Sequence, residues 1–189
     1  MEDPVVRTFK EFMEIVKKES DRGSVLVAVS MIEEILSSLL KARLLPSLDK
    51  TDELFDIGYA PFSSFSAKID LAYRIGCINQ EVRRSCHILR KIRNDFAHAT
   101  DIKGFSNYGT QDRITELLKL NKEMVSSYEE LLVSKSERLE TPIQNFNDFI
   151  DKFGWRFALE LVFAGLAGGL KNYSFCIEPL EAAGANKPL

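Results

Sequence analysis

Both histidines of this 189-residue chain, His87 and His98, fall in one basic stretch that closes on Arg93-Asn94-Asp95-Phe96-Ala97-His98. An imidazole changes charge near neutrality and can move a proton, while a guanidinium fork matches the oxygens of a phosphate. Together they offer phosphate chemistry, either binding or acid–base work at a phosphoester. At about 100° per residue, Arg83, His87, Arg90, Asn94 and His98 lie within about 80° of one another, with Arg84 and Lys91 flanking. Val82, Cys86, Leu89, Ile92 and Phe96 make the opposite, apolar face. Two readings stay open for the polar stripe: a phosphate-binding surface, or a solvated face whose arginines balance nearby acids. His98 adjoins a long Gly-, Ser- and Asn-containing segment, which makes it the better histidine for chemistry.

Arg93 falls at the border of the apolar face, where an unpaired guanidinium is costly. Along the preceding helical segment Glu33 is in register with Leu26, Val29, Leu36 and Leu40, whereas Glu34 shares a side with Ser30, Ser38 and Lys41. Glu33 is therefore the candidate ion-pair partner of Arg93. The alternative is a Glu33 that reaches out to solvent.

The elements that must hold these residues are all helical. Apolar residues recur at helical spacing, and no stretch alternates cleanly enough for a strand. The pattern predicts helices at about 4–19, 22–44 and 49–57, then one capped by Ser63 or Ser64 and ended by Gly76. Further helices follow at about 79–98, 112–133 and 145–171. The expected fold is all-α, a single bundle of about seven helices with a core in 1–140. Residues 141–189 add a last helix, peripheral or dimerising, and a loose tail within the same domain. Ala99 to Asp112 reads as a long loop, Ser134 to Thr141 as a polar connection, and Pro142 as the start of the last helix. Gly165, Gly168 and Gly169 leave two readings for that helix, close packing on another chain or a frayed end.

Composition narrows the function classes. Hydrophobic residues make up 45% and charged residues 28% of the chain, as in an ordinary globular protein, and the formal net charge is -3. With no global positive field, any nucleic-acid contact needs a local patch. Cys77, Cys86 and Cys176 are scattered, odd in number and read as small apolar packers in a reducing compartment. Met1 to Lys18 lacks the apolar run of a secretory signal, and charges at Arg156 and Glu160 interrupt the apolar stretch Trp155 to Leu170. A soluble cytoplasmic protein with a buried last helix is expected. No nucleotide-loop, hydrolase-elbow or zinc-protease motif is present, and no metal site or cofactor is expected.

The segment Leu89 to His98 resembles the signature of the HEPN superfamily, an arginine followed by a polar residue and separated from a histidine by four to six positions, here Arg93, Asn94 and, with four residues between it and the arginine, His98. That resemblance implies a dimer in which arginine and histidine of both subunits converge on an RNA backbone, without metal. His98 would then be general acid or base, Arg93 would hold the scissile phosphate, and Asn94 would orient either. In non-catalytic members such residues support binding or stabilise the helix end. A wider stretch, about residues 15–135, resembles the mannitol operon repressor family. It carries Arg22-Gly23 before a long helix, the pattern Ser66, Lys68, Leu71, Tyr73 and Gly76, and then the basic helix. This second resemblance implies an all-helical transcriptional regulator, with Arg83, Arg84, His87, Arg90 and Lys91 as a local basic surface or with a protein partner. The ribonuclease and a non-catalytic binding module are the alternatives.

Overall fold

The computed structural model describes residues 4–56, 58–98, 104–135 and 146–182. Among them the fold is an all-α bundle: α1 (Pro4–Val16), α2 (Asp21–Arg43), α3 (Phe65–Arg74), α4 (Gln80–His98), α5 (Tyr108–Leu120), α6 (Lys122–Lys135) and α7 (Phe146–Ser174). A 3-10 turn, Gly104–Ser106, precedes α5.

Local chemistry sets most boundaries. Ser20 and Ser64 cap α2 and α3 by accepting the amide protons of Gly23 and Ala67, and Asn79 Oδ1 accepts that of Val82 at the start of α4. The helix expected at 49–57 is absent from the described residues there. Asp52 Oδ1 instead accepts from the Leu54 amide at 3.0 Å, a local turn that competes with helical bonding. The helix expected at 112–133 is two helices. It starts early because Asn107 caps Gly109 at 2.8 Å. It breaks at Asn121, whose side-chain amide donates to Leu117 O at 2.8 Å and to the buried Ser85 hydroxyl at 3.0 Å.

The last helix is buried, as its apolar run predicts, and it is the centre of the bundle and not a peripheral arm. Ala158, Leu159, Leu161, Val162, Ala164 and Ala167 are fully buried, and α7 packs on α1, α2, α5 and α6. By length and composition α2 and α7 would each suffice to cross a membrane, but 61% of the apolar window of α7 is buried within the bundle. Close approach at Gly165 is intramolecular: a Cβ there would land on Met124 Sδ of α6. Gly154 breaks α7 with φ 80° and ψ 162°, a backbone region open essentially to glycine alone.

Two segments expected to be loose are docked. Phe105, within the expected loop, is buried against Phe96 with ring centroids 5.3 Å apart. The start of the tail is tied to the end of α2, where Arg43 O accepts from the Leu180 amide at 2.7 Å and Arg43 Nη1 donates to Glu178 O at 2.6 Å. The connection 136–145, with Pro142, and the tail beyond 182 lie outside the described residues.

The expected Glu33–Arg93 pair does not form. Glu33 Oε1 instead accepts from Lys68 Nζ of α3 at 2.9 Å, with the lysine side chain only 11% exposed. Helical register put Glu33 inward but could not say which neighbouring helix would supply the cation. A double-mutant cycle on Glu33→Ala and Lys68→Ala is expected to give a coupling of about 1–3 kcal/mol, and one on Glu33→Ala and Arg93→Ala about zero. A larger coupling to Arg93 would reverse the assignment.

Candidate phosphate site on α4

The short turn after α3, with Gly76 at φ 74°, lays α3 beside α4 as a hairpin. Asp70 stands six residues before that glycine and Arg83 seven after it, so the two meet across the hairpin. Asp70 Oδ1 accepts from Arg83 Nε at 3.0 Å and Nη2 at 2.6 Å, and lies 3.1 Å from His87 Nε2. Tyr73 lies against the guanidinium, 5.3 Å from ring centre to carbon. On the other flank, Arg84 Nε donates to Glu116 of α5 at 2.8 Å. The first half of the stripe is thus turned onto neighbouring helices and neutralised.

The second half differs. Arg90, Lys91, Arg93 and His98 have no carboxylate partner among the described residues, and Asp95 is taken by Arg113 of α5. Arg90 Nε is buried with no hydrogen-bond partner, the one such side-chain nitrogen or oxygen among the described residues. Arg93 Nη1 donates to Asn94 Oδ1 at 3.2 Å, which holds the two side chains together. His98 and Lys91 are exposed; Arg90, Arg93 and Asn94 are half-buried. Arg22 of α2 donates from Nη2 to Ala97 O at 2.5 Å, occupying one carbonyl at the end of α4. These last two turns join free positive charge to a histidine, which can hold a phosphate and exchange a proton beside it.

The stripe read from sequence therefore divides into Arg83, Arg84 and His87, bound by acids, and Arg90, Lys91, Arg93, Asn94 and His98, which remain available. Asp70 and Arg22 were not singled out from sequence as parts of the site. Asp70 is the only acid in α3, and its near-equal spacing from the turn was the available signal. No metal-ligating cluster of histidine, cysteine and acid occurs among the described residues. Cys86 is buried and its thiol is pushed up to about 12 by burial, and Cys77 is buried too, whereas Cys176 is exposed and not a core packer.

The Arg83 guanidinium holds the Asp70 carboxyl below its ordinary 3.8 against partial burial, which raises it, and His87 lowers it further. A depressed folded value means that the unfolded chain takes up the proton first as pH falls. The pair's stability is then present above about pH 4 and lost below it. With Asp70 about half exposed, the effect is well under about 1 kcal/mol. Asp70→Asn is expected to make the acid limb of a denaturant-measured stability profile slightly shallower below that pH. A steeper limb would contradict the pairing.

Fold and site define an all-helical bundle with an unneutralised cationic helix end. The sequence matches no known protein family, and no curated protein or solved structure matches it.

Proposed function

We propose that this chain is a cytoplasmic, repressor-like regulator that binds nucleic acid through the last two turns of α4, as a homodimer. The observation that carries this reading is the unequal use of charge along one helix. Arg83 and Arg84 are bound by Asp70 and Glu116, while Arg90, Lys91, Arg93 and His98 keep their charge or donors for a ligand. A buried, unpartnered guanidinium nitrogen is costly, and the Arg90 side chain, half-exposed, can turn outward to give that donor to a phosphate oxygen. The homodimer is the assembly that the sequence resemblance implies.

The experiment is fluorescence anisotropy with labelled duplex DNA and labelled single-stranded RNA across a salt series. Binding that weakens steeply with salt is expected for at least one of them. Affinity indifferent to salt, or none for either polymer, ends this reading.

One observation favours a second reading, a metal-independent ribonuclease: His98 is exposed one turn beyond the bonded Arg93–Asn94 pair. In that case Arg93 grips the phosphate, Asn94 fixes the guanidinium, and His98 moves the proton. RNA incubated with the protein in excess chelator would be cut, and cut far more slowly by His98→Ala. Equal cleavage by both proteins takes His98 out of the mechanism.

A further inference from the structure

A cleft lies away from α4, between α5, α6 and the folded-back start of α7, with a volume of about 520 Å³. Volumes of this order hold drug-sized organic ligands. Its aromatic wall depends on the break at Gly154. In an unbroken helix Phe146 and Trp155, nine residues apart, would be on opposite faces and about 13 Å apart along the axis. The positive-φ glycine folds the first two turns back, and the rings meet edge-on with centroids 6.1 Å apart. Buried Phe149 closes the floor.

The polar groups are few and arranged by sign. Lys119 at the end of α5 and Lys122 at the start of α6 are at one end, and neither has a carboxylate partner among the described residues. Glu129, two turns further along α6 on the same face and about 10 Å away, lines the other end. Burial raises the Glu129 carboxyl above its ordinary value by disfavouring its charged form.

We propose that this cleft binds an aromatic acid, its rings against Phe146 and Trp155 and its anionic group between Lys119 and Lys122. Aromatic faces supply the contact area, and paired ammonium groups at one end select the charge and the orientation. The lysines stand outside the core, so the site can be altered without touching the fold. It is independent of the α4 surface.

Trp155 is the chain's only tryptophan, so occupancy can be read from its emission. The probes are 8-anilino-1-naphthalenesulfonate, an aromatic anion, and N-phenyl-1-naphthylamine, its counterpart without the acid group. The full chain is expected to bind the sulfonate at one saturable site, with energy transfer from Trp155, and to prefer it to the uncharged dye. Lys119→Glu with Lys122→Glu should weaken sulfonate binding by about tenfold or more while leaving the uncharged dye within about twofold. Circular dichroism of the double variant checks that the bundle is intact. Failure to bind, equal affinity for the two dyes, an unchanged sulfonate affinity in the double variant, or binding that leaves Trp155 emission untouched would each overturn the proposal.

Discussion

Replacing Arg156 with alanine is expected to lower the unfolding free energy by about 3 kcal/mol and the melting temperature by about 10 °C. Few side chains in the bundle join so many elements. Its Nε donates to Glu160 within α7 at 2.7 Å, its Nη1 to Asp21 at the start of α2 at 2.9 Å, and its Nη2 to the carbonyls of Val16 at 3.1 Å and Glu19 at 2.8 Å. The guanidinium thus closes the α1–α2 corner onto the central helix. The Glu160 side chain is only 9% exposed, and without Arg156 a carboxylate is left among apolar neighbours with no cation. Breaking a buried pair by removing one partner costs far more than replacing both. Arg156→Leu with Glu160→Leu should therefore recover much of the loss. Denaturant titration decides: a cost below about 1 kcal/mol for Arg156→Ala, or a double variant worse than the single, would show that the corner is held otherwise.

Arg90→Ala with Arg93→Ala is expected to weaken nucleic-acid binding by about a hundredfold at moderate salt, near tenfold for each guanidinium removed from a phosphate. The logarithmic salt slope should flatten by about 1.4 for a single strand or 1.8 for a duplex. The contrast is with the hairpin half of α4. Removing Arg83 and Asp70 together deletes a pair already neutral, and should change affinity by less than about twofold. If the two double variants weaken binding alike, charge at the end of α4 has no special place.

The fold was legible where one helix's own periodicity and caps decided the outcome. α2, α3 and α4 follow from their apolar spacing, and α3 and α4 also from the caps Ser64 and Asn79. What escaped depended on partners distant in sequence. Nothing local distinguishes Lys68 from Arg93 as the cation for Glu33, since the choice follows from how the α3–α4 hairpin rests on α2. Asn121 looks like an ordinary helix residue until Ser85 gives its amide a second acceptor, and α5 then ends there. The apolar stretch Trp155 to Leu170 reads as a buried helix and is one, but its central place is not legible, because the turn at Gly154 hides the period of the aromatic residues before it. With those residues folded back, it is the bundle's central helix preceded by a short aromatic flap. For the site, register correctly grouped the arginines and histidines. Which of them would be neutralised was set by Asp70 and Glu116 on neighbouring helices.

The free and the bound arginines of α4 can be told apart directly, because each Nε–H gives its own nitrogen–proton resonance. Adding the nucleic acid that binds should shift the Arg90 and Arg93 signals, as Arg90 Nε, buried with no acceptor, gains one and the Arg93 guanidinium takes up a phosphate. The Arg83 and Arg84 signals, already held by carboxylates, should stay in place. Movement of the Arg83 and Arg84 signals with Arg90 and Arg93 unmoved would contradict the account.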